Sequence, residues 1–163
     1  MTADHRPPIT QKIIVRPLTH ADIEGIASWV AATPLWQRYG VTETSFAERL
    51  ATGLASGATI FVAERAGMVL GFVWFVERGA FNRSAYIQLI GVRPETRSDG
   101  VGQALMEFAE THTQSHEMFL LASDFNMDAQ RFYERLGYHQ VGRLDNYVVA
   151  GIGELIFWKK LVL

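Results

Sequence analysis

Two glycines set two residues apart, Gly100 and Gly102, follow Arg97 and come directly before an apolar helical pattern. Glycine costs backbone entropy unless the chain needs a conformation or a close approach that a side chain would block. The first amides of a helix have no partner within it, and the positive end of its dipole favours an anion. The turn therefore predicts a phosphate-binding site, although a G-x-G pair can also serve packing alone.

Two better-known phosphate motifs do not fit this turn. A Walker loop needs G-x-x-x-x-G-K-[ST], and no such pair of Lys and Ser or Thr follows the glycines. A dinucleotide fingerprint needs a third glycine where the chain has Leu105. The turn is therefore interpreted without either motif.

A second segment with chemical potential is "NMDAQRFYERLGY". Asn126 predicts the N-cap of a helix, Asp128 lies favourably in its first turn, and Gly137 predicts its end. The apolar side of this helix carries a tyrosine hydroxyl. The residues of that side are Ala129, Phe132, Tyr133 and Leu136.

The first half of the chain supplies the elements around these segments. "KIIVRPL" predicts a strand, and Thr19 with Asp22 predicts a capping box that opens a helix through about Val30. The segment "ATPLWQRYGVTE" predicts a loop, and Ser45 with Glu48 predicts the start of a second helix. Two β-rich runs then meet at Ala66-Gly67, which is hairpin chemistry.

The second half continues with "SAYIQLIGVRP", a mostly apolar run that predicts a central strand. A helix follows the glycine turn, "MFLLAS" predicts a buried strand, and "NYVVA" with "ELIFWKKLVL" predicts a final strand pair joined by "GIG". The face of the post-turn helix is predicted from its spacing to carry Val101, Leu105, Phe108 and His112. The order of elements predicts an α+β fold.

Composition limits the classes of protein that the chain can be. Its 163 residues suit one domain, predicted over residues 11–163 after a flexible tail of residues 1–10. A net charge of -2 gives no positive field for nucleic acid, and no cysteine is present for thiolate chemistry. No export signal or membrane span is visible, so a cytoplasmic protein is expected. His112 and His116 lack a third ligand, so no metal site is predicted.

The two motifs together resemble the GCN5-related N-acetyltransferase (GNAT) family. Arg97 to Gly102 is similar to the Q/R-x-x-G-x-G/A turn of that family, and "LIGVRP" resembles the end of its fourth strand. The second motif is similar to the family segment N-x-x-A-x-x-x-Y-x-x-x-G-F, with Asn126, Tyr133 and Tyr138 in matching positions. The resemblance covers roughly residues 12 to 160. It implies a GNAT-like acyl-CoA N-acyltransferase fold, with about seven strands in a mixed central sheet and about four helices around it.

The resemblance implies acetyl-CoA (coenzyme A) as cofactor, with its pyrophosphate on the turn and its pantetheine arm beside the preceding strand. An amide near Ile90 is then expected to hold the thioester oxygen. One departure is Asp99, whose carboxylate would weaken pyrophosphate binding if it pointed inward. The implied cofactor-binding residues are Leu89, Ile90, Gly91, Val92, Arg97, Ser98, Asp99, Gly100, Val101, Gly102, Asn126, Ala129 and Phe132.

The same resemblance makes Tyr133 the general acid, since a phenol stays protonated at neutral pH and can donate to a thiolate. Its alternative role is packing beside Phe132. Glu77 and Gln88 are the candidates to face the acceptor amine: Glu77 could take a proton, whereas Gln88 could only orient the amine. Either residue could instead be a solvated strand residue, and an amine that arrives neutral needs no base.

The implied reaction is acetyl transfer from acetyl-CoA to the primary amine of a small molecule. Trp36, Arg38 and Tyr39 are predicted to form a wall of the acceptor pocket with Trp74 opposite, although each aromatic ring could equally be core. Two alternatives stay open: acetylation of a protein N-terminus or lysine, and a non-catalytic acyl-CoA sensor. Dimers are common in the family, so a homodimer is compatible with the resemblance.

Overall fold

The computed structural model describes residues 11–162, so the predicted tail of residues 1–10 lies outside the described residues. A seven-stranded mixed sheet has the order β1-β2-β3-β4-β5-β7-β6. Its strands are β1 (Ile14–Pro17), β2 (Thr59–Arg65), β3 (Met68–Ala80), β4 (Ser84–Val92), β5 (Glu117–Ser123), β6 (His139–Asp145) and β7 (Gly153–Lys160). The helices are α1 (His20–Ala31), α2 (Pro34–Arg38), α3 (Glu43–Ala55), α4 (Val101–His112) and α5 (Met127–Arg135). The predicted α+β class and the seven strands are confirmed.

Two apolar clusters lie on opposite faces of the sheet. Alternate residues of a strand point to opposite faces, so Phe72 and Val73 belong to different clusters. The first cluster includes Leu105 of α4 and Tyr133 of α5, and the second includes residues of α1 and α3. The sheet therefore separates an α4–α5 face from an α1–α3 face.

The central strands β4 and β5 are paired only over part of their length. They run parallel, and their pairing ends at Ile87 and Leu120, although β4 continues to Val92 and β5 to Ser123. On its other edge β4 pairs with β3, where Trp74 pairs with Leu89 and Phe75 with Ile87. Gln88 is therefore the extra residue of a β-bulge, located where β4 and β5 part. The strands leave a notch bounded by residues 88–92 and 121–123.

The helix starts agree in part with the capping patterns. Thr19 and Asp22 form the predicted capping box of α1, and Asn126 caps α5 by accepting from the amide of Ala129 at 3.2 Å. Helix α3 begins earlier than predicted, because Thr42 is its N-cap and exchanges hydrogen bonds with Ser45. The pair Thr42 and Ser45, and not Ser45 and Glu48, was therefore the start signal of this helix.

Two element predictions were wrong. The predicted loop after α1 contains the short helix α2, whose first residue is Pro34, a favourable N1 residue after Thr33. The predicted strand "NYVVA" is instead the connection between β6 and β7, where Asn146 has a positive φ of 56° and Tyr147 is exposed. Strand β6 comes earlier and has a polar sequence because it lies at the edge of the sheet.

Candidate active site

The glycine turn has an irregular backbone that aims several amides away from the chain. Ser98 and Gly100 both have positive φ, 73° and 82°. Hydrogen bonds within the turn use the amides of Asp99 and Ala104. Among the described residues, no protein acceptor takes the amides of the remaining turn residues, which are Ser98, Gly100, Val101, Gly102 and Gln103. These unpartnered amides, at the start of α4, are donors of the kind that suit an oxyanion.

The glycines contribute in two different ways. Gly100 has the left-handed conformation that side chains disfavour, and nothing lies within 4 Å of the position a Cβ would take. A Cβ at Gly102 would lie 3.1 Å from Cζ of Phe132 and 3.6 Å from Cγ2 of Val92. Gly102 therefore lets α4 approach α5 and the end of β4, which keeps the turn beside the notch.

Asp99 does not have its carboxylate free. It accepts from the guanidinium of Arg65 at 3.0 Å, and its side chain is 41% exposed. The arginine offsets the negative charge in the turn, so the like-charge contact expected at this position is reduced.

The notch leaves strand residues open to a ligand. Leu89, Ile90, Gly91 and Val92 are half-buried and have no partner on β5. Because β5 does not pair with this part of β4, its backbone donors and acceptors are open. An extended ligand could bind to them as an added strand. Asn126 begins α5 at the end of this notch, and its side-chain nitrogen makes no hydrogen bond among residues 11–162.

Tyr133 lies in the α4–α5 face with its side chain 6% exposed. Its ring contacts Phe132 edge-on at 5.2 Å and lies 6.0 Å from the rings of Tyr138 and Phe157. Burial raises the pKa of its hydroxyl, so the phenol is fully protonated at neutral pH. The hydroxyl makes no hydrogen bond within the described part of the chain, and burial alone shifts its pKa, so its proton is available.

The two other predicted catalytic residues differ in their surroundings. Glu77 accepts from the hydroxyl of Thr113 at 2.8 Å and from the amide of Gln114 at 3.2 Å, so its carboxylate binds the C-terminal end of α4. Gln88 lies at the bulge where the notch begins, half-buried and without a hydrogen bond in residues 11–162. Their roles stay predictions, and Gln88 is the one at the notch.

The predicted acceptor wall is dispersed. Trp36 packs into the second core, 5.7 Å from Phe46. The guanidinium of Arg38 stacks at 3.5 Å on the ring of Phe125, which comes just before Asn126. Trp74 is 8% exposed and lies at a surface cleft of about 470 Å³. The cleft is lined by Ser45, Glu48, Arg49, Thr52, Gly53, Ser56 and Trp74.

Tyr39 belongs to a buried polar group that the sequence did not reveal. Its hydroxyl is hydrogen-bonded to Ser123 at the end of β5 and to Glu154 on β7. Glu154 is only 4% exposed and Ser123 only 7%. Burial raises the pKa of Tyr39 to about 12 and also raises the pKa of the Glu154 carboxyl. The only signal in the sequence was a charged residue inside an apolar strand.

None of the helices in residues 11–162 has the length and apolar character needed to cross a membrane. His112, for which no metal site was predicted, stacks on the ring of Phe108 at 3.6 Å between ring centres.

Known proteins resemble the chain both in sequence and in fold. The mycothiol acetyltransferase of Thermobispora bispora is 35% identical over 88 residues, which are 50% of this chain and 30% of that protein. N-alpha-acetyltransferase 60 of Xenopus tropicalis is 28% identical over 164 residues, which are 90% of this chain and 68% of that protein. The chain spans about a third of the length of the mycothiol acetyltransferases that it matches.

Solved structures agree in fold at low identity. A GNAT-family acetyltransferase from Bacillus cereus has a TM-score of 0.77 at 18% identity, over 93% of this chain and 99% of that one. A putative acetyltransferase from Salmonella typhimurium, solved with its cofactor acetyl-CoA, has a TM-score of 0.70 at 15% identity, over 92% and 94%. The model of the acetyltransferase (GNAT) domain matches residues 56–140, which contain the notch, the turn and Tyr133. The chain therefore belongs to the GNAT acetyltransferase family.

Proposed function

We propose that this protein transfers an acetyl group from acetyl-CoA to the primary amine of a small molecule, with Tyr133 as the general acid. The observation that carries the proposal is the notch between β4 and β5, which opens beside a turn with five unpartnered amides. Acetyl-CoA is the acetyl donor of the GNAT family. The chain offers an anion site, a free strand edge and a buried phenol in one continuous region.

The residues fit the donor in type. Its pyrophosphate suits the amides of Ser98 to Gln103, and its amide-rich arm suits the open edge of Leu89 to Val92. Asn126 has a free side-chain amide to donate to that arm. The thioester supplies an activated acetyl group, which forms the new N–C bond as the C–S bond breaks.

Tyr133 suits the proton transfer at the sulfur. The departing thiolate accepts a proton to become the free thiol, and a positioned acid contributes about 10²- to 10⁴-fold to such a step. Among residues 11–162, no acceptor competes for the proton of Tyr133, and burial, which raises the pKa of this hydroxyl, keeps it protonated at neutral pH. A sensor module would need no such group.

A second candidate is acetylation of a protein N-terminus. The match that spans 90% of the chain is to a protein named N-alpha-acetyltransferase, and this observation favours a peptide amine. Against it, the segment Pro34–Arg38 is folded into helix α2, with Trp36 in the core, and forms no extended groove. A small amine is therefore the first choice.

The test is a titration followed by turnover. Calorimetry with acetyl-CoA should give saturable binding, and free thiol should then be released with benzylamine, spermidine, alaninamide or a short peptide with a free N-terminus. Tyr133→Phe should lower kcat by about 10²-fold or more and leave the affinity for acetyl-CoA within about twofold. Tyr138→Phe is the matched control, because that buried hydroxyl donates to Glu110 at 2.8 Å instead.

Each result has a definite meaning. Absence of acetyl-CoA binding by the wild type would remove the proposed function. Unchanged turnover in Tyr133→Phe would remove the role of Tyr133 as acid. Turnover with the peptide alone would select the second candidate.

A further inference from the structure

Glu154 is a buried carboxylate without a cation. It lies on β7 with 4% of its surface exposed, and it makes no salt bridge with any residue from 11 to 162. The other carboxylate at this end of the sheet, Asp124, accepts from Arg143 at 2.8 Å and from the amide of Gly153 at 3.2 Å. Because a buried charge is normally paired, Glu154 is an exception that calls for a positive partner.

The hydrogen bonds around Glu154 have one consistent direction. Tyr39 has a single hydroxyl proton, which it donates to Oε1 of Glu154, so it must accept from the hydroxyl of Ser123. Oε2 of Glu154 has no hydrogen-bond partner in the described part of the chain. The only enclosed side-chain nitrogen or oxygen there without a partner is Nε1 of Trp29, so Oε2 is not sealed from its surroundings. One carboxylate oxygen is held, and the other is free to bind a ligand.

Glu154 and Tyr133 approach the notch from opposite faces of the sheet. Leu155 and Phe157 belong to the α4–α5 core with Tyr133, so Glu154 points to the α1–α3 face, where Tyr39 meets it. Glu154 is paired in register with Ser123, the last residue of β5 and the border of the notch. An acceptor that enters from the α1–α3 side would meet Glu154, and Tyr133 would act from the other side.

We infer that Oε2 of Glu154 binds the ammonium group of the acceptor and takes one of its protons. This inference rests on the proposed function, since it names the acceptor site of the same reaction. R–NH₃⁺ becomes neutral R–NH₂, whose nitrogen lone pair is then free to attack, and the protonated Glu154 returns its proton to water. After the attack the nitrogen loses a second proton, which replaces the one that Tyr133 gives to the departing thiolate. The acceptor class is a primary amine that is cationic at neutral pH.

The groups that face Glu154 adjust its proton affinity. Tyr39 stabilises the charged carboxylate, whereas burial and the nearby charge of Asp124 raise the pKa of Glu154. Tyr86 of β4 also lies close enough to sense Glu154, with Tyr147 and Arg49 around it. A carboxyl with a raised pKa is a better base than an ordinary glutamate, and it loses its function when acid protonates it.

The first test measures binding without turnover. Benzylammonium, spermidine and alaninamide are titrated into the protein saturated with coenzyme A, and benzyl alcohol serves as the neutral counterpart of benzylammonium. Glu154→Gln should weaken the cations by about tenfold or more and leave benzyl alcohol unchanged, because the amide keeps the bond from Tyr39 but carries no charge. Equal affinity in Glu154→Gln, or no binding of any cation to the wild type, would overturn the inference.

The second test is the pH profile of turnover with the best amine. Glu154→Gln should lower kcat/KM about 10²-fold near pH 7, and the deficit should shrink towards the pKa of the amine, where the neutral amine is supplied by solvent. The matched control is Glu110→Gln, another carboxylate bonded to a tyrosine, but on the α4–α5 face with Lys159 at 2.8 Å. Its profile should follow the wild type.

The two proposals fail in different ways. If the wild type turns over amines and Glu154→Gln matches it at every pH, the inference is wrong and the acetyltransferase function stands. If no amine releases thiol, the function is wrong, and the binding test alone decides whether Glu154 is a cation site.

Discussion

The glycine turn and the buried Tyr39–Ser123–Glu154 group are built by opposite means. The turn is one continuous segment, its donors are backbone amides, and its conformation depends on local glycines such as Gly100. The buried group joins three segments of the chain: Ser123 lies 84 residues after Tyr39, and Glu154 lies 115 residues after it. Its chemistry lies in side chains that only the fold brings together. One region is therefore specified locally, and the other is specified by topology.

The two regions also differ in how much each lowers the stability of the folded protein. Backbone amides carry no net charge, so a turn that awaits an anion loses little stability when it is empty. A buried carboxylate without a cation lowers stability, and favourable interactions elsewhere in the fold must offset that cost. The comparison predicts that substitutions in the turn mainly change ligand binding, whereas substitutions in the buried group change both stability and turnover.

The largest effect is expected at Gly102. Gly102→Trp should weaken acetyl-CoA binding by about 10²-fold or more, because even a Cβ would lie 3.1 Å from Phe132 and an indole would fill the turn. Calorimetric titration measures the loss. Gly25→Trp is the control, since Gly25 lies on the exposed side of α1 with nothing within 4 Å of a Cβ. Equal loss in both variants would show that destabilisation, and not the turn, was measured.

An intermediate effect is expected on stability, where neutralising two buried carboxylates should change the free energy of unfolding in opposite directions. Arg16 lowers the pKa of Asp22 to about 2 through hydrogen bonds of 2.8 and 2.9 Å, so Asp22→Asn should destabilise the protein by about 2 kcal/mol near pH 7. Burial raises the pKa of Glu154, so Glu154→Gln should instead stabilise the protein at the same pH. Urea unfolding of the three proteins measures both changes.

The pH dependence sharpens the same comparison. The stability from Asp22 is present above its ordinary pKa of 3.8 and is lost as the pH falls towards 2. A raised pKa has the opposite sign: stability from Glu154 is present below its ordinary value of 4.5 and is lost as the pH rises through the folded value. Near pH 4 the gain in Glu154→Gln should vanish and the loss in Asp22→Asn should remain. A gain at pH 4 as large as at pH 7 would contradict the account of Glu154.

The smallest effect is expected at Asp99. Asp99→Asn should change acetyl-CoA affinity by less than about threefold, because Arg65 already offsets this exposed carboxylate. Calorimetry again measures the affinity. Arg65→Gln is the complementary variant: it should weaken binding, and by more than Asp99→Asn changes it, since it leaves the negative charge of Asp99 uncompensated. A tenfold gain in Asp99→Asn would show that the carboxylate faces the pyrophosphate.

Much of the fold could be predicted where local chemistry decides it. The hairpin predicted at Ala66-Gly67 is present, and both of its turn residues have positive φ, 55° and 76°. Strand β6 was missed because an edge strand with one solvated face has a polar sequence, and the apolar "NYVVA" nearby looked more like a strand. Helix α2 was missed because its five residues give too short a pattern.

The candidate site divides in the same way. Asn126, Tyr133 and the turn were found from their motifs and the family resemblance, and their roles stay predictions. In the structure the turn has unpartnered amides, Asn126 has a free side-chain donor and Tyr133 is buried. Glu77 was a reasonable candidate by residue type, but its carboxylate binds the end of α4. Glu154 has no motif around it, and its charge in an otherwise apolar run was the only signal that the sequence offered.

The sequence by itself determined the α+β class and the glycine turn, because glycine positions, caps and periodic apolar residues act over a few neighbouring residues, and its two motifs carried the resemblance to the family. Only the tertiary structure decided where β4 and β5 part, which face each side chain occupies, and that Tyr39 and Ser123 meet Glu154. Strand order, register and burial depend on the whole chain, and it is burial that raises the pKa of Glu154 above that of an ordinary glutamate.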